Sequence, residues 1–119
     1  MSADLKSEIN KAIQAHGNWR GRLRNAALAD ERDLPVADIA SADHCRFGQW
    51  LQGVSAAEGG GHLPEVRRLH AEFHRIAGHI AGMIARGESA QALEAIEGRD
   101  YVQKTLSLTR TLHNWQDSL

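Results

Sequence analysis

The chain has one cysteine, Cys45, so no disulfide can form within it, which accords with a reducing compartment. It has only two prolines, Pro35 and Pro64, and few runs of β-branched residues, so little in it interrupts helix. It also lacks an excess of either charge. Fourteen Lys and Arg stand against fifteen Asp and Glu, and with no basic surplus to neutralise phosphates, nucleic acid is excluded as the expected partner. No apolar run approaches the roughly 18 residues that cross a bilayer, so no membrane span is expected. The start, Met1-Ser2-Ala3-Asp4, has neither the basic nor the apolar region of a secretory leader, and Met1 followed directly by helix-forming sequence is read as a true N-terminus. The expected location is the cytoplasm. Internal repeats and low-complexity segments are missing too.

What remains is an ordinary globular composition, 42% apolar and 24% charged. The 119 residues suit one domain over positions 1–119. A chain of this size buries about two-thirds of its unfolded surface, so it can build a core without a staple. A metal bound here would therefore serve more than scaffolding.

Apolar positions recur at three- and four-residue steps, the mark of helix. Leu5, Ile9, Ala12, Ile13, His16, Trp19, Leu23, Ala26 and Ala27 define one face of a first helix from about Ala3 to Ala29. Gly17 and Gly21, each costing about 1 kcal/mol in a helix, are expected to admit a neighbouring backbone. Residues 30–40 are expected to be a connection, with Pro35 blocking helix. Ser41 or Asp43 is the expected N-cap of a short helix to about Gln52, which buries Phe47, Trp50 and Leu51 and closes at Gly53. Gly59-Gly60-Gly61 predict a flexible loop. A third helix starts near Pro64 and stops at Gly87, its face formed by Val66, Leu69, Phe73, Ala77, Ile80, Ala81 and Ile84. Ser89 is the expected cap of a fourth, carried by Leu93, Ile96, Tyr101 or Val102, Leu106, Thr109, Leu112 and Trp115, with a kink or break near Gly98. The expected fold is all-α: a four-helix bundle in which one short helix carries the cysteine.

Three features carry chemistry: His16-x-x-Trp19, the run Cys45-Arg46-Phe47-Gly48-Gln49-Trp50, and His70-x-x-x-His74. At about 100° per residue, His70 and His74 differ by only about 40° around their helix and project side by side. His79, nine residues beyond His70, falls about 180° away and faces solvent. A histidine pair, a histidine from another helix and a thiolate form a mixed nitrogen and sulfur set that suits tetrahedral zinc. Each member also has a plainer reading. His16 alone fits a hydrogen-bonded core residue, the His70–His74 pair a wet helix face, Cys45 a small buried apolar group, and Trp19 and Trp50 simple packing.

In their order and separations these motifs resemble the chemoreceptor zinc-binding domain family, and the resemblance runs from about residue 5 to 115. It implies a four-helix bundle with an added short helix. It also implies one zinc ion, Zn2+, held by three histidines and a cysteine, whose positions are filled here by His16, Cys45, His70 and His74. Members of that family pair as homodimers and are usually attached to chemoreceptors or diguanylate cyclases. This chain carries neither the long methyl-accepting coiled coil nor a cyclase domain, so the resemblance leaves it as a standalone protein or a fragment.

Four protein ligands leave no place for a substrate water, so no enzymatic activity is expected. A zinc-bound cysteine is a thiolate, the form oxidants attack, and one at a helix start is further stabilised. The leading expectation is a regulatory sensor that responds to zinc availability or to oxidants such as hypochlorous acid and signals to a partner in chemotaxis or cyclic-di-GMP control. Two alternatives stand beside it: an interaction domain that zinc merely stabilises, and a hemerythrin-like di-iron bundle, for which Glu65, Glu72 and Glu94 are the available carboxylates.

Overall fold

A computed structural model describes residues 2–119, with side chains from Asp4 onward. The described residues form helices and the turns that join them, with no strand among them. Helix α1 spans Ser2–Leu28, α2 Val36–Ala40, α3 Arg46–Gln52, α4 Ala56–Gly59, α5 Leu63–Ala85, α6 Ser89–Ile96 and α7 Arg99–Asp117, and a single 3-10 turn, Gly60–His62, leads into α5. The molecule is elongated, 45 × 23 × 19 Å, because α1 alone extends about 40 Å at 1.5 Å per residue.

The core lies between α1, α5 and the α6–α7 pair, with α2 laid against α5. The stripe expected on α1 is the one it buries: Leu5, Ile9, Ala12, Leu23, Ala26 and Ala27 are buried, and Ile13 and Trp19 pack at its margin. Every apolar position expected on α5 is buried, from Val66 to Ile84.

Helices α1 and α5 end in the same backbone device. After α5, Gly87 takes φ 82°, its N–H donates to Ile84, and the Glu88 N–H reaches back to Met83 at 2.8 Å. This is the Schellman arrangement expected of a stop glycine. After α1 the same pair of bonds forms, Asp30 N–H to Ala27 and Glu31 N–H to Ala26, but the left-handed residue is Asp30 at φ 52°. A short polar side chain tolerates that conformation better than most, so the helix stops without glycine.

The connecting segments are more ordered than expected. Residues 30–40 hold α2, which begins immediately after Pro35. Cys45, and neither Ser41 nor Asp43, is the N-cap of α3, its sulfur accepting from the Gly48 N–H. The glycine-rich stretch is shaped by a capping box: Ser55 accepts from the Glu58 N–H and Glu58 accepts from the Ser55 N–H. Ser89 does not cap α6; it is that helix's first residue, and its hydroxyl donates to Asp30. At Gly98 the fourth helix breaks into two. The break resets the helical phase, so α7 buries Tyr101, Leu108, Leu112 and Trp115 while Leu106 and Val102 face outward. Glycines 17 and 21 have open space where a side chain would stand, and no backbone approaches them.

Candidate metal centre

Two helices and the N-cap of a third converge on a single point. His16 comes from the middle of α1, His70 and His74 from successive turns of α5, and Cys45 from the residue that opens α3. One potential ligand atom from each of the four lies within 4.8 Å of all the others, and no comparable group containing another residue occurs among the described residues. His79 is exposed, away from the cluster, as its helical phase requires. Glu65 and Glu72 pair with Arg68 at the surface, Glu72 also with Lys104, and Glu94 is exposed, so no carboxylate joins the histidines.

The histidines are almost sealed, with 3% of His16, 2% of His70 and 1% of His74 exposed. Burial holds their pKa values down, to about 4 for His16 and about 3 for His70, and that of His74 below its ordinary value; mutual repulsion adds to the effect at His16 and His70. At neutral pH all three are uncharged. Which nitrogen keeps the proton follows from the backbone around them. His16 Nδ1 donates to the Ala12 carbonyl at 2.7 Å, and His74 Nδ1 to the Ile39 carbonyl at 2.9 Å. Their Nε2 atoms, 3.4 Å apart, therefore face each other as two bare lone pairs with no proton between them. That arrangement is repulsive on its own and attractive around a cation.

Cys45 completes the set. Its Sγ lies 3.3 Å from His70 Nε2. Burial raises the thiol pKa; the N–H groups of Gly48, Phe47 and Cys45 itself oppose that rise, and Asp43 adds to it. Without a cation the sulfur is thus a thiol, and the thiolate needs the metal's charge to form. A tetrahedron with zinc bonds of about 2.0–2.3 Å has edges of roughly 3.3–3.7 Å. Two of the observed separations already have that length. Three neutral imidazoles and one sulfur fit zinc in type, number and spacing.

The surroundings fix the four side chains. Phe47 sets its ring edge-on to His70 (5.2 Å) and His16 (5.9 Å), and Phe73 does the same to His16 (5.1 Å) and His74 (5.5 Å). Phe47 stacks in turn on Trp50, which reaches Trp115 of α7. Gly48 provides a close approach: a Cβ there would lie 1.7 Å from the Ala42 carbonyl oxygen. Arg46 pairs with Glu8 of α1 at 2.9 Å, and Arg67 of α5 donates to the Leu51 carbonyl at the end of α3. The cysteine helix is thereby tied at both ends.

Two supporting groups were not foreseen from sequence. One is the Ile39 carbonyl, which sets the tautomer of His74 and belongs to the unexpected helix α2. The other is Gly78, where a Cβ would come within 2.4 Å of Ala40 Cβ, so its bareness lets α2 lie flat on α5. Only that glycine in an otherwise apolar helix face could have signalled the contact. Beside the cluster a cleft of about 480 Å³ opens between α1, α2 and the loop before α3, and Cys45 and His74 stand on its wall.

The family model described as the chemoreceptor zinc-binding domain matches residues 16–81, more than half of the chain. The matched span begins at His16 and includes Cys45, His70 and His74. Comparison with curated proteins and with solved structures returned no match.

Proposed function

The chain belongs to the chemoreceptor zinc-binding domain family, and from that membership we propose that it is a regulatory zinc module with His16, Cys45, His70 and His74 as the ligands of one Zn2+ ion. The observation that carries this reading is the facing pair of unprotonated Nε2 atoms on His16 and His74, 3.4 Å apart in a sealed pocket beside a cysteine. Buried lone pairs opposed in this way cost stability unless a cation lies between them. When bound, zinc supplies that charge and converts Cys45 to the thiolate.

The regulatory part rests on Cys45. Its sulfur is half-buried, stands on the wall of an open cleft and is the one ligand that oxidants can convert to sulfenic acid. Loss of that ligand weakens metal binding and frees the first turn of α3. Phe47 and Trp50 then carry the change to His16 and to Trp115, so α3 acts as a latch between the metal and the long helices, completing the four-helix bundle with α1, α5 and α6–α7. The same reading places the protein in the cytoplasm, without enzymatic activity, as a homodimer that passes zinc or hypochlorous acid signals to a chemoreceptor or diguanylate cyclase partner. No described helix is long and apolar enough to cross a membrane.

The test measures zinc per chain and then zinc released to a chromogenic chelator during hypochlorite titration, for the native protein and Cys45→Ser. The reading expects one zinc per chain and release that tracks thiol loss. A native protein without zinc ends it; zinc retained after Cys45 is oxidised leaves only the structural role.

A further inference from the structure

The cleft beside the metal centre carries donors that the four-ligand set does not use. Asp38 of α2 and His44 of the following loop line it together with Cys45 and His74. Their Oδ2 and Nε2 atoms are 3.7 Å apart, and both side chains are more than half exposed. Each is covalently next to a part of the inner site. Asp38 precedes Ile39, whose carbonyl holds His74, and His44 precedes Cys45. Arg22, which also lines the cleft, lies over the Trp19 ring at 4.0 Å, so the cleft carries a fixed positive charge as well.

We propose that this cleft is the path by which the metal reaches and leaves the buried centre, and that Asp38 and His44 form an outer pair that binds the ion transiently and passes it to Cys45 and His74. The inference rests on the zinc-binding reading above. Its physical basis is the sealing of the inner site. With 1–3% of each histidine exposed, a hydrated cation cannot meet all four ligands at once, and it must lose its waters in steps. One oxygen and one nitrogen donor at the mouth can replace the first waters before sulfur and imidazole replace the rest. Arg22 opposes the approach, so the path has a carboxylate that attracts the ion and a guanidinium that repels it. Donors used only in passage change the rates of uptake and release together and leave the final affinity alone.

The experiment uses the full chain, stripped of metal, with zinc alone as the probe. Uptake is followed by stopped-flow, release by transfer to excess chelator, and affinity by equilibrium competition, for the native protein, Asp38→Asn, His44→Gln, the double variant and Arg22→Gln. The expected result is that the double variant takes up and releases zinc about tenfold more slowly with affinity unchanged within twofold, while Arg22→Gln takes it up faster. Native rates in the double variant would overturn the proposal. So would weaker affinity with unchanged uptake, since that makes the pair part of the resting site or its scaffold. A native protein that binds no zinc would instead overturn the reading beneath it, which the affinity measurement reports separately.

Discussion

Replacing Gly48 with alanine tests the site and the fold together. The added Cβ would lie 1.7 Å from the Ala42 carbonyl oxygen and 2.8 Å from its carbon, both backbone atoms, and 3.2 Å from His70 Cε1. An ordinary carbon–oxygen contact is about 3.3 Å or longer, so α3 and the Ala42 backbone must part by roughly 1.5 Å. Overpacking of this kind costs about 1–3 kcal/mol, and the better helix propensity of alanine returns at most about 1. A net loss of about 1–2 kcal/mol lowers Tm by roughly 3–10 °C for a domain of this size. The segment that must yield, residues 42–45, carries the sulfur, so zinc affinity should fall by about ten- to a hundredfold, as when the groups that orient a ligand are disturbed. Thermal melts of the metal-free protein and competition with a zinc chelator measure the two effects. Gly17→Ala is the control: nothing lies within 4 Å of its added carbon, and the variant should gain up to about 1 kcal/mol with zinc binding intact. A Gly48→Ala protein with native Tm and native affinity would refute the packing argument.

Gly78→Ala should push α2 off α5, because its Cβ would meet Ala40 Cβ at 2.4 Å and Cα at 2.6 Å; zinc affinity should drop about tenfold as His74 loses the Ile39 carbonyl, measured by the same competition. Acid should unfold the metal-free protein. His16 and His70 titrate near 4 and 3 when folded and near 6.5 when unfolded, so between those values the unfolded chain binds more protons and stability falls as pH falls. Each contributes a slope of about 1.4 kcal/mol per pH unit, about 3 kcal/mol from His16 by pH 4, and denaturant melts from pH 7 to 5 that show no change would contradict it. Phe47→Ala should cost about 3 kcal/mol and weaken zinc binding, since its ring packs edge-on against two ligand rings; a stability loss with unchanged affinity would make Phe47 packing alone.

Periodicity served best where helices are long. The faces of α1 and α5 were legible because each buries one continuous stripe, and His16 was conspicuous as a histidine in an aliphatic position. Periodicity failed in α7 for a physical reason: once Gly98 breaks the helix, residues beyond it no longer share a phase with Leu93 and Ile96, and Leu106 turns outward while Leu108 turns in. The short helices α2 and α4 escaped notice because each lacks a stripe long enough to detect, whereas α3 was legible from its buried Phe47 and Leu51. For α4 a local signal did exist, the Ser55-x-x-Glu58 capping box; for α2 there was only Pro35 before it. The convergence of His16, Cys45, His70 and His74 followed the motif spacing, whereas the carbonyls that orient them are backbone groups with no side-chain signature. The role of Cys45 as its own helix's cap, in place of Ser41 or Asp43, arises from a sulfur acceptor, which capping preferences do not favour.

The central claim is that three imidazole nitrogens and one thiolate sulfur surround a single ion. X-ray absorption at the zinc edge of the zinc-loaded native protein measures that directly. The account predicts four-coordinate zinc with three nitrogen neighbours at about 2.0–2.1 Å and one sulfur at about 2.3 Å. A spectrum without the sulfur shell, or one of six light neighbours, would contradict it.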